Sequence, residues 1–118
     1  MKTALITHAD CLDHDTPTGH PEQVARLEHV LHAFAPLDLK RVTAPMAADD
    51  DLLRIHPKSY IDEIKQMRPE SGTFQVDADT HMSPGSLDAA YRSAGGTLRA
   101  VDMVLRGEAK NAFVAARP

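Results

Sequence analysis

Four residues in one short stretch, His8, Cys11, His14 and His20, are of the types that ligate zinc, whose preferred donors are imidazole nitrogen and thiolate sulfur. A single thiol is few for a structural zinc site. The alternative reading is scattered loop histidines, with His20 capping the helix that follows. A second group, Asp77-x-Asp79-x-His81, imitates a metal cluster with period-two spacing and reads as a solvated loop. Asp79 by itself is a helix-entry carboxylate, favoured near the positive end of the helix that begins at Pro84. Arg26 stands four residues after Glu22, the spacing of a helical ion pair contributing a few tenths of a kcal/mol.

The composition narrows what such residues could serve. A chain of 118 residues is the size of one domain, and no linker divides it, so residues 1–118 read as a single unit. Hydrophobic residues make up 42% and charged residues 25%, the balance of an ordinary globular protein. Net charge is -4, and the basic residues are scattered, with no run beyond Lys40-Arg41. A nucleic-acid or anionic-membrane surface would need them clustered, so neither partner is expected. No apolar stretch approaches a membrane span, and Met1 to His8 is too short for a signal peptide. Cys11, the lone cysteine, cannot form an internal disulfide, which suits a reducing cytoplasm.

The elements that must position these residues follow from pattern. Residues 2 to 7 predict a buried strand, and His8 to Gly19 a polar loop of functional length. A helix follows with Pro21 at its first position, Glu22 near its dipole, and an apolar stripe of Val24, Leu27, Leu31 and Phe34, until Pro36 ends it. Leu39 to Thr43 predicts a strand, and the run Asp49-Asp50-Asp51 opens a helix at Leu52 that His56-Pro57 breaks. Lys58 to Met67 restarts it, with Tyr60, Ile61 and Ile64 facing inward, and Pro69 to Gly72 is a turn.

Thr73 to Met82 is a second loop of interest. The longest helix spans about Pro84 to Arg106, N-capped by Ser83, with a seam of Leu87, Tyr91, Ala94, Leu98, Val101 and Leu105. Gly95 and Gly96 in its middle cost about 1 kcal/mol each against Ala, and make sense where another backbone packs closely. Gly107 stops the helix, and Asn111 to Ala116 is a strand. The order β-α-β-α-α-β predicts an α/β fold with a parallel sheet. The chain stops at the C-terminal edge of that sheet, where open α/β folds bind ligands, and reads as a fold interrupted.

Three stretches carry a resemblance. They are His20-Pro21-Glu22 with Arg26-Leu27; Ile55-His56-Pro57-Lys58-Ser59-Tyr60-Ile61; and Asp77-Ala78-Asp79-Thr80 through Ser83-Pro84-Gly85-Ser86, continuing in Ala89-Ala90, Gly95-Gly96, Ala100-Val101-Asp102 and Asn111-Ala112-Phe113. In this order, across nearly the whole chain, they resemble the histone deacetylase superfamily, which includes bacterial acetylpolyamine amidohydrolases and acetoin-utilisation proteins. Glu22 after His20-Pro21 is closer to the bacterial and class II branches. The resemblance implies the N-terminal portion of an arginase/deacetylase-type parallel sheet flanked by helices, incomplete and cut before the tandem histidines that follow Arg-Pro in the family.

By the same resemblance Asp79 matches the rim-loop carboxylate that accepts hydrogen bonds from substrate amides, with Asp77 its rival. Arg26 matches an arginine at the inner end of the active-site channel, where a guanidinium suits an acetate product. His20, Pro21, Glu22, His56 and Tyr60 match structural motif positions. The implied activity is hydrolysis of an acetylated lysine, polyamine or small metabolite by zinc, with the metal ligands and the general base outside these residues. No catalytic residue and no metal is expected in this chain, which should be inactive alone. The alternative is a non-catalytic interaction or dimerisation module, and apolar surface left uncovered predicts self-association.

Overall fold

The computed structural model describes all residues from Met1 to Pro118. Its centre is strand β1, Ala4–Thr7, flanked by β2, Lys40–Thr43, and, near the end of the chain, β5, Ala112–Val114. Both pairings are parallel, with Ala4 opposite Lys40 on one side and opposite Ala112 on the other. The expected parallel α/β sheet is therefore present, in the order β2-β1-β5.

Successive side chains of a strand point to opposite faces, so β1 feeds two cores. Ala4 and Ile6 join Ala44, Ala100, Met103 and Ala109 beneath helix α4, Ser86–Leu105. Leu5, on the other face, joins Cys11, Leu27 and Ala115, with Val30, Leu31 and Phe34 of helix α1, Val24–Phe34, packed alongside. A strand buried on both faces reads as a continuous apolar run, which is how Ala-Leu-Ile reads.

Several boundaries differ from the sequence reading, each for a local reason. The loop after β1 contains a short 3₁₀ turn, Ala9–Leu12, which carries Cys11 into the core. Helix α1 starts at Val24 and not at Pro21. The Glu22 carbonyl, which in a helix begun at Pro21 would accept from the Arg26 amide, accepts instead from the Thr16 hydroxyl at 2.6 Å, while Arg26 donates to the Gln23 carbonyl. The acidic run forms the short helix α2, Asp49–Leu52, and does not merely precede it. Helix α3, Lys58–Gln66, buries Ile61 as expected, but Tyr60 is exposed. The segment expected as a loop at 73–82 is a two-stranded hairpin, β3 (Phe74–Gln75) against β4 (His81–Met82). Strand β5 is shorter at both ends than the span 111–116.

Helix α4 gives the largest correction. Its buried residues include Ala89, Gly96, Ala100 and Met103, while Leu98, Val101 and Leu105 of the expected seam are exposed. The two sets are displaced by two positions, about 200° on a helix of 3.6 residues per turn, hence nearly opposite faces. The sheet accepts the small face because it lets the helix backbone come close. A Cβ on Gly96 would lie 3.3 Å from Val114 and 3.4 Å from Ile6. Leu87, Ala90 and Tyr91, at the other end of the seam, line a groove against α3. There the Asp49 carboxylate accepts from Lys65 at 2.6 Å and from Tyr91 Oη at 2.5 Å, tying α2, α3 and α4 together. Gly107, at φ 71°, ends α4 as the sequence requires.

Ser83 is not the N-cap of α4. Its hydroxyl accepts from the Asp15 amide at 2.9 Å, and Gly85 stands at the cap position. The side chain thereby fastens the 13–15 segment to the helix start instead of satisfying the helix itself.

Candidate functional site

The hairpin turn holds the rim residues. Val76 donates to the Thr80 carbonyl at 2.8 Å, closing the turn, and the Asp77 carboxylate accepts from the Asp79 amide at 2.9 Å. That backbone hydrogen bond, with a further one from the Thr80 side chain, holds the Asp77 carboxyl below its usual range. Asp77 is thus committed to its own turn. Asp79 is exposed, and its carboxylate makes no hydrogen bond or ion pair within the chain. Of the two rival carboxylates, Asp79 is the one with no hydrogen-bond partner inside the chain.

Both border a cavity of about 390 Å³, whose walls also include His14, His20, Glu22, His81 and Pro118. His20 bridges its two sides. Its Nδ1 accepts from the Glu22 amide at 3.1 Å, which leaves Nε2 to donate to the Asp79 carbonyl at 3.0 Å. His20 therefore caps the turn that precedes α1, and through its other nitrogen props the rim. The His81 ring meets it edge-on at 5.9 Å, and His81 Nδ1 is buried without a partner.

Beneath the cavity lies a polar cluster that joins two residues the sequence singled out, His14 and Glu22, to one that it did not, Arg117. Arg117, 1% exposed, reaches back to Glu22 with Nε and Nη2 at 2.7 and 2.8 Å, a bidentate pair, and its Nη1 donates to the His14 carbonyl. His14 is buried, with Nδ1 at 2.6 Å from Ser86 Oγ and Nε2 at 3.5 Å from Glu22. The Arg117 hydrogen bond is the main cause that lowers the Glu22 carboxyl below its ordinary range. Burial first, and the neighbouring Arg117 cation second, lower the His14 imidazole. Arg117 escaped notice because a lone arginine near the chain end has no periodicity to mark it, and its partner lies 95 residues away.

The remaining flagged residues do not converge. Cys11 is in the apolar core, His8 accepts from the Asp10 amide, and His14 and His20 are engaged as described. No group of three or more His, Cys, Asp or Glu side chains is placed to hold a metal ion. The donors of this chain thus do not fit zinc. Arg26 sits 3.5 Å from Glu22 with half of its side chain in water, the helical ion pair, and is not among the cavity residues. His56 stacks on Tyr60 with ring centres 4.9 Å apart, and Tyr60 stands where the rim cavity meets the apolar groove between α3 and α4.

Known proteins are similar to this chain. The family model described as the histone deacetylase domain matches residues 20–118. The histone deacetylase-like amidohydrolase of Pseudomonas aeruginosa is 40% identical over 106 residues, covering 85% of this chain and 27% of its own length. A probable deacetylase of Archaeoglobus fulgidus is 31% identical over 124 residues, covering 100% of this chain and 34% of its own. The crystal structure of the HDA15 HD domain superposes with a TM-score of 0.88 at 20% identity, over 99% of this chain and 35% of that one, a likeness of fold. The chain thus spans about a third of the length of these proteins. With residues 20–118 matched by the family model, the chain belongs to the histone deacetylase family.

Proposed function

We propose that this chain supplies the rim wall and supporting framework of a zinc-dependent deacetylase site for acetylated amines or acetyl-lysine, and that it does not deacetylate alone. The observation that carries this reading is the Asp79 carboxylate, unpartnered within the chain and held at the edge of the cavity by a turn whose internal hydrogen bond goes to Asp77. A carboxylate so placed accepts amide or ammonium donors from a substrate, and a charge-assisted bond orients it. Zinc belongs to the reading through the family resemblance. Its ligands and the general base are supplied by other residues, since the donors here do not form a set. The single thiol is unpaired and buried, which fits a reducing compartment, and a cytoplasmic location is part of the same reading.

An acetyl-lysine peptide titrated into the isotopically labelled chain should shift the amide signals of Asp77 to His81, and Asp79→Asn should remove those shifts. The same sample with zinc should release no acetate. Shifts that persist in Asp79→Asn would refute the rim assignment, and zinc-dependent acetate release would refute inactivity.

A second reading, an association module, is favoured by the outer face of α4. Val101 and Leu105 are 52% and 80% exposed there. Apolar surface of this kind seeks a partner. Light scattering at tens of micromolar should give a mass above that of the monomer, and a monomer mass would end this reading.

A further inference from the structure

We propose that His14, Glu22, Arg117 and Ser86 form an acid-released latch, which holds residues 13–22 against the start of α4 at neutral pH and opens when His14 takes up a proton. This proposal does not depend on any catalytic role of the chain.

The geometry carries it. Segment 13–22 has no regular structure and is fastened to the rest of the fold by a few polar contacts. His14 Nδ1 meets Ser86 Oγ at 2.6 Å, and Ser86 Oγ also accepts from the Ser83 amide at 2.7 Å. The Asp15 amide donates to Ser83 Oγ at 2.9 Å, and Arg117 clamps Glu22 and the His14 carbonyl from beyond β5. Side chains from both ends of the segment therefore meet in one buried spot.

The groups facing His14 decide the response to acid. Arg117 faces it from the segment after β5, Glu22 and His20 from the turn before α1, and Asp15 from its own loop, while α4 presents the neutral hydroxyl of Ser86. Glu22 and Asp15 favour a charged imidazole, but Glu22 is already shared with Arg117, and burial together with the Arg117 cation outweighs both. The closed state thus binds a proton on His14 less readily than an open, solvated segment, whose imidazole titrates near the ordinary value of 6.5. The sign follows: the latch is at full strength above pH 6.5, and below it each added proton favours the open form. Glu22, whose carboxyl is lowered from 4.5, releases Arg117 only in stronger acid.

Opening would reach the rim. Residues 14, 16, 20 and 22 form one wall of the 390 Å³ cavity, and His20 holds the Asp79 carbonyl. A segment that leaves α4 takes that support with it, so the rim turn loosens in acid while the sheet stays intact.

Amide hydrogen exchange of the 118-residue chain, corrected for intrinsic rates, tests this at pH 7.5 and 5.5. Protection of residues 13–22 should fall at pH 5.5, by at most about tenfold, the ceiling one proton sets a unit below the open-state pKa. Amides of β1 and of the middle of α4 should not change. His14→Asn keeps an atom near Nδ1 for Ser86 but cannot titrate, and should abolish the pH response. An equal response in His14→Asn, or none in the unaltered chain, overturns the proposal. Should His14→Asn fail to fold, the ring resonances of the unaltered chain decide. His14 must titrate below the ordinary imidazole value of 6.5, and titration at or above that value overturns the latch.

Discussion

Gly95→Ala is expected to destabilise the fold by on the order of 3 kcal/mol or more, whereas Gly96→Ala, one residue on, changes stability by less than about 1 kcal/mol. An added Cβ at Gly95 would lie 2.1 Å from the Pro45 carbonyl oxygen and 2.6 Å from the Ala47 nitrogen, both backbone atoms. That backbone cannot step aside cheaply, because the Ala47 amide donates to the Tyr91 carbonyl at 3.0 Å, one helical turn before Gly95. At Gly96 the nearest atoms belong to the side chains of Ala44, Val114 and Ile6, at 3.1 to 3.4 Å, and shifts of tenths of an ångström suffice. There the better helix propensity of alanine, about 1 kcal/mol, offsets the crowding. Urea unfolding followed by far-ultraviolet circular dichroism separates the two variants. Equal midpoints for Gly95→Ala and the unaltered chain would mean that the segment 45–47 does not pack on α4 as described.

Glu22→Gln is expected to cost about 3–5 kcal/mol, the penalty of stranding a buried charge, and more than twice the cost of Arg117→Met. The asymmetry comes from exposure. The Arg117 side chain is 0% exposed and, without the carboxylate, its guanidinium has no counter-charge and no water. Glu22 is 33% exposed, so a carboxylate bereft of Arg117 rehydrates, while Met fills most of the vacated volume. The pH dependence follows from the lowered Glu22 carboxyl. Its stabilisation is present above 4.5 and is lost as pH falls through the depressed folded value. Stability curves of the unaltered chain and Glu22→Gln should therefore converge in acid. Denaturant midpoints across that range check both statements, and a loss below 1 kcal/mol at neutral pH would show that the pair is not desolvated as the geometry implies.

Much of the architecture was legible because it rests on local signals. Ala-Leu-Ile marks a strand buried on both faces, the Leu27 stripe marks α1, and Gly107 marks the end of α4. The pair Gly95-Gly96 announced a close approach of backbones, which the Pro45 contact supplies. The orientation of α4 was misread because periodicity weighs large side chains. Ala89, Ala100 and Gly96 contribute little hydrophobicity each, yet a flat sheet selects small residues, and the louder Leu-Val seam faced away.

At the rim, Asp79 could be named from the motif that surrounds it. What distinguishes it from Asp77, an amide hydrogen bond two residues long, is a matter of turn geometry that composition does not encode. The Glu22–Arg117 pair lay beyond sequence reasoning altogether, because its members are 95 residues apart and each is of a type ordinarily left in water.

The placement of β1 bears on how the chain is made. The central strand is synthesised before both of its neighbours: Lys40–Thr43 emerges only after α1, and Ala112–Val114 only after α4. Until then Ala4, Leu5 and Ile6 have an open hydrogen-bonding edge during synthesis, at rates of about 5–20 residues per second. The nascent chain therefore carries its most buried strand half-paired for several seconds, a window in which chaperone capture competes with mispairing.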